Sequence, residues 1–354
     1  MAQYYIANAD VQGWLGKLAA ERDVFAPVRE GDAVVFRKLA DGQTVELALR
    51  PTESAKCVMF PRSEELFTYS RQRKNDEEGG RVLSLKEPEE PRPSVVFGAL
   101  PCDARGFFAF DPVYDGSGTQ GKFKDTYYLK RRSQTIVIAK ACNNRLATCF
   151  CHWVGGSPVS TEGVDVLATA VGDGFVLEVI SDLGKEAVKG LKEAAADQTK
   201  AAKDAAEAVV KNLPEAPDLT AAKDGVLKQF ENKEFWLSES AKCISCGTCT
   251  YLCPTCYCFN ITDESNGIDG VRLRSWDNCM SSLFTLEASG HNPRMGKADR
   301  MRNRVGHKFS YYPELHGGRF SCVGCGRCIK SCPSMVDIRQ IVVDAINVKE
   351  ASNG

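Results

Sequence analysis

Apolar positions Val11, Trp14, Leu15 and Leu18 recur at helical spacing within residues 10–21 and predict an amphipathic helix near the start of the chain. Short apolar runs follow. Residues 25–28 (FAPV), 33–39 (AVVFRKL) and 45–50 (VELALR) read as strands, broken by Gly31-Asp32 and Asp41-Gly42, the turn chemistry of antiparallel neighbours. Residues 71–93 are polar, charged and proline-bearing, as an exposed connection would be. Two apolar runs come next, residues 94–100 and 134–139, and these predict parallel strands buried on both faces of an α/β sheet. Each ends at a cysteine, Cys102 and Cys142, with a helix expected over residues 104–110. Open α/β sheets place their ligands at such carboxyl ends. A hairpin is expected from residues 164–170 and 175–180 around Gly172-Asp173-Gly174. Residues 184–232 turn to Ala, Lys and Glu with a break at 213–217, which reads as a solvated helical pair, and an amphipathic helix over 336–348 ends the pattern.

At 354 residues, 43% hydrophobic and 26% charged, the chain has room for two or three globular domains. Its 45 basic and 46 acidic residues leave a net charge of -1, which argues against nucleic acid as the main partner, since phosphate binding needs a positive surplus. The first residues show no basic segment followed by an apolar core, and no run reaches the roughly 18 to 20 apolar residues of a membrane span. A cytoplasmic location without a membrane span is expected.

Sixteen cysteines change the picture because they are grouped. In a reducing compartment, grouped thiols read as metal ligands rather than disulfides, and they favour a low-potential, anaerobic setting. Cys243, Cys246, Cys249 and Cys253-Pro254 have the spacing C-x2-C-x2-C-x3-C-P, which recurs at Cys322, Cys325, Cys328 and Cys332-Pro333. Three thiolates of each run can wrap a cubane, while the fourth, turned away by the proline, ligates the other cluster. The expected sets are Cys243, Cys246, Cys249 and Cys332 for one [4Fe–4S] cluster, and Cys322, Cys325, Cys328 and Cys253 for a second. Zinc, which usually takes two separated cysteine pairs, fits the repeat badly.

Cys102, Cys142, Cys149 and Cys151 form another group, either a third [4Fe–4S] site or free thiols. Cys256, Cys258 and Cys279 read as packing near the clusters, with ligation of an extra cluster as the other reading, and Cys57 reads as core. The stretch between the two runs carries Arg272, Arg274, Arg294, Lys297, Arg300, Arg302, Arg304, His307 and Lys308. These either offset cluster charge and dock an acidic partner or form an ordinary solvated face. No G-x-G-x-x-G, no P-loop and no HExxH occurs, and no nucleophile–base constellation marks a catalytic residue.

The expected architecture is a multidomain α+β or α/β chain. An α/β domain spans residues 1–183, a helical insertion 184–235, and a bacterial-ferredoxin-like domain for two [4Fe–4S] clusters 236–354, itself interrupted at 259–318.

Leu100-Pro-Cys-Asp103, Cys149-Phe-Cys151, Cys253-Pro-Thr-Cys-Tyr-Cys258, Trp276-Asp-Asn-Cys279, Ala288-Ser-Gly-His-Asn-Pro293, His307-Lys-Phe-Ser-Tyr311 and the run Cys322 to Cys328 occur in that order. Together they resemble the 4Fe–4S dicluster subunits typified by the anaerobic sulfite reductase A subunit and the sulfhydrogenase β subunit. The resemblance covers most of residues 94–340, and the Ala/Lys/Glu-rich segment departs from it. It implies an iron–sulfur electron-transfer subunit of a multi-subunit oxidoreductase, placed between a flavin-bearing, NAD(P)H-reactive subunit and a terminal reductase, hydrogenase or heterodisulfide-reductase-like module. The alternative is a catalytic subunit that itself binds flavin and acts on a substrate.

Overall fold

The structure, a computed structural model, describes residues 2–40, 42–73, 80–117 and 121–348. Asp41 of the expected second turn lies outside the described residues. An eight-stranded sheet is built from β1 (Gln3–Ala7), β2 (Asp23–Glu30), β3 (Ala33–Lys38), β6 (Ser94–Ala99), β7 (Thr135–Lys140), β8 (Val166–Val171), β9 (Gly174–Val179) and β10 (Lys192–Glu193). Its order is β10-β1-β9-β8-β7-β6-β2-β3, with β2, β6, β7 and β8 parallel in the centre. The central strands are mostly apolar because both faces are covered. Val95, Phe97, Ile136 and Ile138 pack with Trp14 and Leu15 on one side, and Val96, Ala99 and Val137 with Phe107, Phe110 and Tyr128 on the other.

A second, four-stranded sheet has the order β11-β12-β4-β5, from β4 (Ser63–Arg73), β5 (Arg81–Lys86), β11 (Phe259–Ser265) and β12 (Asp269–Trp276). Two strands come from the first quarter of the chain and two from the stretch between the cysteine runs. Phe60 stacks on Trp276, and Glu64 of β4 pairs with Arg274 of β12, which also pairs with Asp125.

A third core holds Phe150, Trp236, Met280, Met301, Phe309, Ile341 and Val342 around the cysteine runs. The helix Ile338–Asn347 packs its apolar side here, as its periodicity predicts. So do Leu219, Ala222 and Val226, which makes the second half of the expected solvated pair part of a core.

Three expectations differ in the structure. Residues 45–50 are not a strand: the Glu46 carboxylate accepts from the backbone N–H groups of Ala48 and Leu49 at 2.7 and 2.9 Å, and this local turn takes donors a ladder would need. Residues 71–93 are not only a connection, since Arg71–Arg73 and β5 are paired strands whose third partner, β12, lies some two hundred residues further along the chain. Polar Lys192-Glu193, within the expected helical segment, adds a strand to the large sheet beside β1.

Candidate metal centres

Each C-x2-C-x2-C run folds as a bare loop followed by one helical turn, Thr248–Tyr251 in the first and Arg327–Lys330 in the second. The loops need glycine. Gly247 and Gly326 hold φ of 76° and 74°, and at Gly326 a Cβ would stand 2.3 Å from the Thr148 carbonyl oxygen. Cys243, Cys246, Cys249 and Cys332 line one cavity with Met280, Met301, Arg304 and Val336. The Ser245 and Val336 N–H groups point at Cys243 and Cys332 sulfur, both at 3.3 Å. Cys246 is exposed, and its hydrogen bonding to Thr248 holds the thiol below its usual pKa.

In the second run, burial pushes the thiols of Cys322, Cys325 and Cys328 up to about 12. Cys253, although it closes the first run, acts electrostatically on all three. Contact with Cys256 holds Cys253 well below its usual value, and Lys308 acts in the same direction, its Nζ donating to Cys253 Sγ at 3.3 Å. Thiols protonated at neutral pH become ligands only by releasing their protons to solvent as metal binds.

The third group also comes together. Cys102 lies in the first turn of the helix Pro101–Tyr114, Cys142 just past β7, Cys149 in the following loop and Cys151 in the turn Cys151–Val154. All four line one cavity with Arg50, Pro158, Leu213 and Cys325. Arg50 donates to Cys149 Sγ at 3.0 Å and to Cys142 Sγ at 3.5 Å. This cavity lies directly on the second run: Phe150 N–H donates to Gly324 O at 2.8 Å.

The remaining thiols lie close by. Cys256 adjoins Cys253, Cys258 adjoins Cys279, and the buried Lys56 donates to the Cys256 carbonyl at 3.0 Å. Cys57 packs in the core beneath the large sheet. Arg50 and Lys56 went unrecognised in the sequence, because neither stands near a cysteine run and only the irregular path of residues 45–55 brings them there.

Whether iron–sulfur clusters suit these residues can be judged from charge. Arg304 is 4% exposed, its Nε meets no hydrogen-bond partner among the described residues, and it faces the thiols Cys249, Cys328, Cys256 and Cys279, with a second cation, Lys308, nearby. An enclosed guanidinium calls for an anion, and thiolate-ligated cubanes are anionic. Repeated thiol loops enclosing buried cations suit anionic iron–sulfur clusters and place the chain among iron–sulfur proteins by chemistry as well as spacing.

A family model described as a 4Fe–4S dicluster domain matches residues 242–336. The β subunit of sulfhydrogenase 2 from Pyrococcus furiosus is 31% identical over 254 residues, covering 69% of this chain and 71% of that subunit. No solved structure matches. The chain belongs to the 4Fe–4S dicluster electron-transfer subunit family to which the sulfhydrogenase β subunit also belongs.

Proposed function

We propose that the chain relays single electrons through three [4Fe–4S] clusters in series. Cys243, Cys246, Cys249 and Cys332 hold the first, Cys322, Cys325, Cys328 and Cys253 the second, and Cys102, Cys142, Cys149 and Cys151 the third. The observation that carries this reading is the contact between the three thiol groups. Cys328 of the second run lines the cavity of Cys243, Cys246, Cys249 and Cys332, and the third cavity shares Cys325 with the second group. When bound, the clusters supply one-electron chemistry, and the chain supplies spacing, burial and hydrogen bonds to sulfur.

The two ends of the series differ. Cys246 reaches solvent at one, amid exposed Ile244 and Met335, whereas Arg50, Arg145 and Asn144 surround the other. Such ends suit two different partner subunits in a cytoplasmic complex. By the family relationship these are a flavin- and NAD(P)H-reactive subunit and a terminal reductase, hydrogenase or heterodisulfide-reductase-like module. Iron and sulfide analysis with EPR of the dithionite-reduced, anaerobically purified chain tests the proposal. About twelve iron per chain supports three clusters, and about eight removes the third.

One observation favours a second reading. A crevice at the carboxyl ends of β6 and β7 is lined by Gly98, Lys140 and Asn143 beside Cys142, where open α/β sheets take cofactors. A flavin spectrum in the purified chain would make it a flavin-binding catalytic subunit.

A further inference from the structure

The helix Lys297–Gly306 and its π-helical continuation His307–Tyr311 carry Arg300, Arg304 and Lys308 at four-residue intervals, which places them along one side. That side is buried: the three residues are 7%, 4% and 3% exposed. A solvated helix face is thereby excluded for them, and each cation reaches a different point of the thiol groups. Arg300 donates through Nη2 to Ser245 Oγ, in the first loop, at 3.3 Å, and its Nη1 takes the carbonyls of Arg294 and Met295. Arg304 lines the first cavity and faces Cys249 from one loop and Cys328 from the other. Lys308 donates to Cys253 Sγ at 3.3 Å and to Thr255 Oγ1 at 3.0 Å.

We infer that Arg304 and Lys308 set the reduction potentials of the two ferredoxin-type clusters, and that they act unequally. Lys308 acts on the cluster that Cys253 reaches, and Arg304 on both. The inference rests on the ligand sets proposed above. A cluster gains negative charge on reduction, so a fixed cation beside it, or an N–H donated to its ligand, favours the reduced form and raises the potential. Enclosure strengthens the effect, because little water screens the charge. Lys56 also stands near Cys253, but its Nζ is directed to the Cys256 carbonyl and the face of Trp276.

The test is an EPR-monitored redox titration of the anaerobically purified full chain and of variants whose iron content matches it. Lys308→Met should lower the midpoint of one cubane and leave the other in place, while Lys308→Arg keeps it. Arg304→Met should lower both midpoints, and Arg304→Lys should hold them. Should a Met variant lose iron, Lys308→Gln and Arg304→Gln carry the same comparison with the charge removed and a donor retained. Unchanged midpoints in fully loaded neutral variants, or an equal fall of both clusters in the neutral Lys308 variant, would overturn the inference. A failure of the ligand sets themselves shows separately, as fewer than about eight iron in the unsubstituted chain.

Discussion

Asp103 is fully buried and meets the guanidinium of Arg327 through both carboxylate oxygens, while its Oδ2 also accepts the Leu100 N–H at 3.1 Å. Arg327 in turn faces Cys325 of the second group and Cys102 of the third, so this pair fixes one group against the other. Asp103→Ala strands the cation, and a loss of about 3–5 kcal/mol is expected in urea unfolding of the anaerobic protein. His307 supplies a pH dependence. Burial, with Lys308 beside it, lowers its pKa from 6.5 to about 4, and its Nε2 lies 2.9 Å from the Tyr257 hydroxyl. The unfolded chain takes up this proton below pH 6.5 and the native chain does not. Its contribution is therefore present above pH 6.5 and lost as pH falls toward 4. Between pH 7 and pH 5 the loss should be about 2 kcal/mol, visible as a falling urea midpoint that His307→Phe lacks. Spacing made the cysteine runs legible in the sequence, but their cationic neighbours could not be read that way. Arg304 and Lys308 stood in a basic stretch that reads equally well as a solvated face, and only tertiary packing turns their side inward.

Among the elements, the second cysteine loop is tightly constrained. Gly324 has φ of 65°, and a Cβ there would lie 2.5 Å from Cys151 backbone atoms. Gly324→Ala should push the loop from the segment bearing Cys149 and Cys151. The expected readout is loss of iron attributable to the third group, together with destabilisation of more than about 1 kcal/mol. Strands β6 and β7 were legible as continuous apolar runs, since burial on both faces removes any need for alternation. Residues 45–50 misled for the opposite reason: they alternate as a strand does, but Glu46 captures its own neighbours' N–H groups. The small sheet was missed because β5 is exposed along its whole length and pairs through β4 with a strand far along the chain, a partnership that no local pattern encodes.

At the scale of the whole molecule, exposure grades the three thiol groups. Cys246 is the exposed cysteine among the described residues, whereas Cys253 is buried and Cys322 is buried within the third core. Brief air exposure should therefore degrade the cluster proposed at Cys243, Cys246 and Cys249 before the one proposed at Cys322, Cys325 and Cys328. EPR spectra taken over the time course, with iron released to a chelator, would check the order. Cys332→Ala should mimic the early product by removing the fourth ligand proposed for that first cluster while leaving the second proposed set of four intact.

The small sheet bears on how the protein is made. Translation delivers β4 and β5 long before β11 and β12, so a growing chain holds the first pair without its partners until about residue 276 has left the ribosome. Cys102 and Cys142 emerge in that same early interval, well ahead of the loop at Gly324 against which their cavity closes. Closure of that cavity is thus a late event in biogenesis, as iron loading of the proposed third cluster would be, and a nascent chain stalled before residue 320 should carry these thiols in a form that alkylating reagents reach.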